Sequence, residues 1–351
     1  MISPAPFPLT AQNASPPVLT TNPPVDDILV ANPHLKLPRT YEWNLSLEQA
    51  LGSSQSLSLT YIGAIGRDLL RVTNLVPDPS VNPNFQYINL TENTATSDYH
   101  ALQVKFERRL SHGLQALASY TLSHSIDIAS TDAFANYLNT PGGGTYQNAD
   151  RADSDFDIRH AFTAAVTYDI PSPGRHRAVS AAFGGWSLDG FVVARSAPPA
   201  DVVGAVYEAA GIALAPRPNV EPGVPLELYG SQYPGGKAFN GAAFAAPPQG
   251  VQGDFDRNVL RGFGAWQADL ALQRQFHITE QVGLRFRAEF FNVFNHPNFG
   301  QPDNTITDTL FGQSTQTLAS SLGSGGAFGG FSPLYQIGGP RSIQLALKLQ
   351  F

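Results

Sequence analysis

Apolar and polar side chains alternate with period 2 along much of the chain, the pattern of strands whose two faces meet different surroundings. The alternation predicts nine strands. Residues 40–51 (TYEWNLSLEQAL) place Tyr41, Trp43, Leu45 and Leu47 opposite Glu42, Asn44, Ser46 and Glu48. A second strand carries Leu57, Leu59 and Tyr61 against Ser56, Ser58 and Thr60. Residues 99–110 set Leu102, Val104 and Phe106 against Gln103, Lys105 and Glu107, and 114–125 align Leu114, Ala116, Ala118, Tyr120 and Leu122. A fifth strand, over 157–170, opposes Phe162, Ala164, Val166 and Tyr168 to Arg159, Thr163, Thr167 and Asp169. A sixth, roughly 178–195, is poorer and slips in phase near Gly184-Gly185, which reads as a bulge. The seventh (265–276) aligns Trp266, Ala268, Leu270 and Leu272, and the eighth (282–294) aligns Leu284, Phe286, Ala288 and Phe290. The ninth, RSIQLALKLQF, puts Ile343, Leu345, Leu347, Leu349 and Phe351 on one side and Gln344, Lys348 and Gln350 on the other.

Two regularities follow. The strands run ~9–11 residues, the length that crosses a bilayer at a tilt. Their links alternate between short (LGSSQ, SHG, PSPGRH, HITEQ) and long (about 66–97, 126–155, 196–262 and 296–340). The expected fold is an all-β, antiparallel transmembrane barrel with short periplasmic turns and long extracellular loops. Nine strands is an odd number, whereas bacterial barrels close with an even one, so the barrel is expected to be incomplete. Residues 40–351 form the barrel section, and the Pro-rich residues 1–39 read as the remains of an extracellular loop.

The eighth strand decides which face meets lipid. Its charges lie opposite Leu284 and Phe286, and a basic side chain in mid-membrane costs roughly 2–4 kcal/mol. The register therefore sends Leu and Phe to lipid. Lys105, Glu107, Asp269, Arg285, Arg287, Glu289 and Lys348 then face a watery lumen. Arg108 and Arg274 fall on the lipid phase, near strand ends, where headgroups are within reach. Tyr41, Trp43, Tyr168, Trp186 and Trp266 sit where aromatic girdles form.

Composition sharpens this picture. Charged residues make up only 14 % and aromatics 11 %, with 32 Gly and 28 Pro. Mean hydropathy is nevertheless −0.13, as expected of a wall with one oily and one wet face. No run reaches the ~18 apolar residues of a membrane helix. A net charge of −7 argues against a nucleic-acid partner, and the lack of Cys excludes disulfides and thiolate metal sites. The opening MISPAPFPLTAQ has neither the basic nor the apolar region of a signal peptide, so the chain is expected to be the C-terminal part of something longer. Period 2 alone also fits a soluble, secreted β-sandwich. Segregated loops, strand length and the terminal Phe favour the barrel.

At RFRAEFFNVFNHPNFG (285–300) the sequence resembles the C-terminal barrel of TonB-dependent outer-membrane receptors of the Oar-like branch. RGFGAWQADLALQRQFHITE, GGPRSIQLALKLQF, NPHLKLPRTYEWNLSLEQAL, SDYHALQVKFERRLSHGLQALASYTLSHSID and DRADSDFDIRHAFTAAVTYDIP carry the same resemblance, from about residue 32 to the end. It implies a larger protein with a signal peptide, a plug and a barrel of about 22 strands. It also implies uptake of a ligand across the outer membrane, driven by a TonB complex that the N-terminal part would engage. Phe351 with Leu345, Leu347 and Leu349 resembles the signal read by the barrel-assembly machinery. A surface binding or adhesion barrel without energised transport is the alternative.

No catalytic or cofactor motif stands out. Asp153-x-Asp155-x-Asp157 resembles the start of a calcium loop, but the required Gly is missing and Ala164 stands at position 12. Solvated carboxylates at a strand start are the expected reading, with a weak external Ca²⁺ site as the alternative. The eight His show no metal spacing, and His296 reads as an interface or loop residue. Gly142-Gly143-Gly144 and Gly325-Gly326 lie in long loops with no helix to follow. Tyr137, Tyr146, Tyr229, Tyr233 and Phe239 decorate the loops, where aromatics suit either carbohydrate or peptide capture or simple loop packing.

Overall fold

The computed structural model describes residues 25–75, 84–130, 150–171, 184–205, 207–209, 212–214, 216–248, 251–279, 281–321 and 338–351. Nine long strands form one sheet: β1 (Arg39–Leu51), β2 (Gln55–Leu75), β3 (Phe85–Ser111), β4 (Leu114–Asp127), β5 (His160–Asp169), β6 (Trp186–Arg195), β7 (Ala265–His277), β8 (Gly283–Phe291) and β9 (Ser342–Gln350). Each pairs antiparallel with its sequence neighbours, in the order β9 to β1. The sheet is open: among the described residues β1 and β9 remain edges. No helix of the described residues is long and apolar enough to cross a membrane.

The register keeps one phase across the sheet. Tyr61 faces Leu45 and Leu102, Leu102 faces Leu122, Phe162 faces Tyr120 and Ala194, and Phe286 faces Leu347. On the other phase Thr60 faces Ser46 and Gln103, Thr167 faces Asp189, and Gln273 faces Arg287. Directly opposed residues share a face, so the apolar sets of all nine strands form one continuous surface. That surface is uncovered: Leu45 is 75 % exposed and Leu345 and Leu347 68 %. A soluble sandwich would lay a second sheet over it.

Arg274 breaks the apolar rule and is accommodated locally. It lies opposite Trp186, with its guanidinium 5.3 Å from the Trp186 ring and 4.4 Å from that of Phe276. These aromatic faces attract the cation and cover it, leaving Arg274 9 % exposed.

The short turns gather at one end. His112 and Gly113 both take positive φ (53° and 75°), the twist of a tight two-residue hairpin turn. Residues 52–54 also turn there, and the N–H groups of Ile278 and Thr279 both donate to the Val282 carbonyl, at 2.9 and 3.0 Å. The β5–β6 link spans 170–185, of which 172–183 lie outside the described residues, as does the start of the expected sixth strand.

At the other end the structure departs from the sequence reading. Much of 66–97, read as a loop, belongs to β2 and β3, which stay paired out to Leu75 and Ile88. At ~3.3 Å per residue, this ribbon runs roughly 30 Å past Gly66. The alternation is unreadable there because the register shifts on both sides of Leu69. Asp68 enters the bulge with φ +55°; Asn93 Nδ2 donates to its carbonyl at 2.6 Å and Arg39 pairs with its carboxylate. Residues Val25–Ala31 add a parallel strand along Phe85–Thr91.

The stretch FNVFNHPNFG explains where β8 stops. Asn292 follows its last residue with φ +48°, a conformation Asn tolerates better than most residues. Its buried side chain donates to the carbonyls of His296 and Gly339 (both 2.9 Å) and accepts from His296 N (2.9 Å). Asn298 Oδ1 accepts from Trp266 N at 2.9 Å. The turn thus ties the rim of β8 to β7 and to the approach of β9. Asn292→Ala removes three buried hydrogen bonds and the residue best suited to that φ. It is expected to cost about 2–4 kcal/mol, read as a lower temperature at which the folded, fast-migrating gel form is lost.

Candidate functional site

The polar face and the long-loop rim above it carry the chemistry. At the centre of the polar face Arg287 reaches across two strands to Asp189 (2.6 Å), along its own strand to Glu289 (2.8 Å), and to Gln273 (3.2 Å). Thr167 donates to Asp189 at 3.0 Å. Asp269 accepts from Gln267 Nε2 and from Asn292 N, both at 2.8 Å. Thr167, Asp189, Asp269, Arg287 and Glu289 line a cavity of about 380 Å³ with Phe191 and Phe291.

The seven charges expected on one phase all lie on it, but the structure joins only some of them. Arg287, Glu289 and Asp269 share the central patch. Lys105 and Glu107 pair with each other at 3.1 Å, on β3. Arg285 reaches Gln275 at 3.3 Å and lies directly opposite Lys348. Two opposed cations destabilise a sheet unless water screens them, and both side chains are exposed. Leu345, Leu347, Leu349 and Phe351 are exposed along the opposite face of β9 and at its end. Asp189 was not singled out in the sequence, although WSLDGF puts it in phase with Ser187 and Phe191.

At the rim the solvated-carboxylate reading of the acid-rich run 150–157 holds only for Asp155, which is exposed and accepts from Asn258 Nδ2 at 2.7 Å. Asp157 is fully buried and pairs with Arg159 and Arg261, each at 2.8 Å; Ser125 N also donates to it at 2.7 Å. Asp153 is held by His124 (2.8 Å), Arg159 (3.1 Å) and Arg261. Burial alone would raise the Asp153 carboxyl, but His124, Arg159 and Arg261 hold it below the usual carboxylate value. Asp150 joins Arg217 (3.0 Å) to Arg71, and Asp127 pairs with Arg257, with every one of these side chains at most 8 % exposed. Among the described residues no three acidic or His side chains form a metal-binding group. Each of these carboxylates apart from Asp155 is engaged by arginine, which suits a clamp better than a general base. The arginines were missed in the sequence because they lie up to 130 residues from their partners; the acid-rich run was the available signal.

The clamp seats a folded loop layer. Residues 196–262 build short pairs, 199–200 with 260–261, 219–220 with 244–245, and 227–229 with 237–239. They enclose a core of Val202, Phe239, Phe244, Phe255, Leu260 and Phe311. Phe239 is thus a packing residue, 2 % exposed, whereas Tyr229 is 70 % exposed. Tyr137, Tyr146, Gly142–Gly144 and Gly325–Gly326 lie outside the described residues. Asp201 borders this core. Burial raises its carboxyl to about 6, against the pull of Arg217 and Arg257.

Over residues 2–344 the chain matches the family model described as an outer membrane beta barrel domain. Comparison with curated proteins finds no sequence match. Among solved structures it is similar to the outer membrane transporter YddB from Escherichia coli (12 % identity, TM-score 0.47), covering 90 % of this chain and 33 % of that one. The ferripyoverdine receptor of Pseudomonas aeruginosa aligns with 11 % identity and TM-score 0.43, over 89 % and 27 %. The FrpB iron transporter from Neisseria meningitidis aligns with 11 % identity and TM-score 0.42, over 92 % and 32 %. The chain therefore spans about a third or less of the length of these proteins.

Asp127→Asn leaves Arg257 buried without its counter-charge and is expected to cost about 3–5 kcal/mol. Replacing both residues by Ala should cost less than the sum of the single changes; urea midpoints give the cycle. The raised Asp201 value means that the folded loops hold this proton more tightly than the unfolded chain. Its contribution is complete below the ordinary value of 3.8 and is lost as pH rises through about 6. Protease nicking within 196–262 should therefore increase between about pH 4 and 6, and less so in Asp201→Asn.

Proposed function

The chain belongs to the outer membrane β-barrel domain family, and from that premise we propose that it is the C-terminal barrel section of a TonB-dependent receptor, of the Oar-like branch, that takes up a ligand across the outer membrane. The observation that carries this reading is the unbroken register, with one oily face, one polar face, short turns at one end and long connections at the other. On this reading the oily face meets lipid and Lys105, Glu107, Asp269, Arg285, Arg287, Glu289 and Lys348 line a hydrated lumen.

The open edges support a larger parent. In a nine-strand meander β1 and β9 run in the same direction, from the long-loop end to the short-turn end. Two copies of this sheet would meet only at parallel seams. Antiparallel closure needs an odd number of further strands, and an unpaired edge in lipid leaves backbone groups without partners. The missing strands, the plug and the part that engages the TonB complex belong to that parent, of which residues 1–39 carry an external loop. Leu345, Leu347, Leu349 and Phe351, 98 % exposed, would present the assembly signal to the barrel-assembly machinery.

The loop layer, with its own core and the exposed Tyr229, is the part suited to capturing a carbohydrate or peptide at the surface. The same layer favours a second reading, a binding or adhesion barrel without energised transport. An antibody against the Glu227–Phe239 hairpin should detect an outer-membrane species well above the 37.6 kDa of this chain. A species of that mass with no larger form would overturn the receptor reading and leave the adhesion one.

A further inference from the structure

The oily face carries a built cleft at its long-loop rim. One register row crosses four strands as Tyr120, Phe162, Ala194 and Trp266. Ala194 is the only small side chain in that row. Phe162 and Trp266 stand two strand spacings apart, roughly 10 Å, so the missing bulk at Ala194 opens a slot between two aromatic walls. The resulting cavity is about 530 Å³.

Its mouth is polar on both sides. His160 stacks on Tyr120, ring centroids 6.1 Å apart, and its Nδ1 is engaged by the Tyr120 hydroxyl at 2.7 Å. That leaves Nε2 as the ring nitrogen available to a ligand. His296 stacks on Trp266 at 4.4 Å. Ser196 completes the rim, and no carboxylate lines the cleft; Arg195, next to Ala194 on its strand, belongs to the opposite phase. An apolar slot beneath two imidazoles that can donate N–H, and without an acid, is complementary to an anion attached to a hydrocarbon chain.

We propose that this cleft binds one phosphate-bearing membrane lipid, with an acyl chain over Ala194 between Phe162 and Trp266 and the phosphate against His160 and His296. The site rests on the reading of this face as lipid-facing. It gives that face a specific lipid position in place of a uniform oily surface, and fixes the leaflet nearest the long loops. Trp266 and Tyr120 then serve as walls that hold the imidazoles upright at the headgroup level.

The full chain, extracted from membranes in nonionic detergent, is titrated with dioleoylphosphatidylglycerol and with dioleoylglycerol, and bound lipid is counted by native mass spectrometry. One phosphatidylglycerol per chain should bind about tenfold more tightly than the uncharged lipid. Ala194→Phe fills the slot and should abolish that preference, whereas Ala116→Phe, on the same face outside the cleft, should not. His160→Gln with His296→Gln should lower phosphatidylglycerol binding to the level of dioleoylglycerol; this arm decides the matter if Ala194→Phe does not fold. Equal retention of the two lipids by the unaltered chain, or unchanged binding by a folded Ala194→Phe, would overturn the site. Spin labels at Phe286 and Leu345 in lipid, with those at Arg285 and Lys348 in water, separate the two levels: that pattern without selective lipid binding sinks the cleft alone, and the reverse pattern sinks the wall reading with it.

Discussion

The structure depends on a backbone ladder that keeps one phase through the middle of all nine strands, β1 to β9, with its register shifts at their ends. Antiparallel pairing sets residues directly opposite one another, and successive side chains point to opposite faces. Once two strands pair, the face of every residue in both is settled, and each added strand inherits that choice. A slip of one residue anywhere would turn Leu284, Phe286 and their neighbours toward the polar side and Arg285 and Arg287 into the oily one. The charges on β8 and Lys348 opposite Arg285 on β9 therefore hold the register of the sheet, because a one-residue slip would put these cations on the oily face.

Irregularity sits at the strand ends: one register shift lies between Arg108 and Ser111 at a short turn, and the shifts at the long-loop rim have local supports. The bulge at Leu69 is fastened by Arg39, Asp68 and Asn93. The end of β8 is fastened by Asn292 and Asn298. Arg274 on the oily face is covered by Trp186 and Phe276. Above these the loops carry a core of their own, and arginine–carboxylate pairs bolt it to β2 and β4. Buried ion pairs contribute little net stability against desolvation, but breaking one is costly. Such pairs hold a loop in one place.

Nine strands, their faces and the sorting of short from long connections were legible in the sequence because period 2 is a local property. Trp43, Leu45, Phe286 and Leu347 declare their face through their immediate neighbours. The outward reach of β2 and β3 was illegible because Asp68 and Leu69 shift the phase, so the two halves of β2 no longer share one alternation. Asp153 and Asp157 were legible as an acidic run, but not as a clamp. Phe239 and Tyr229, both loop aromatics in the sequence, part company in the structure: one is a core residue and the other a surface residue.

The sequence alone determined an all-β wall with one wet and one oily side, since side-chain alternation and the cost of a charge in hydrocarbon act strand by strand. Only the tertiary structure decided which charges meet, and which aromatics enclose a slot. Arg257 finds Asp127, and Trp266 finds His296 and Ala194, through pairings that bring distant segments together. Contacts of that kind depend on the register of strands far apart in the chain, and no local pattern encodes them.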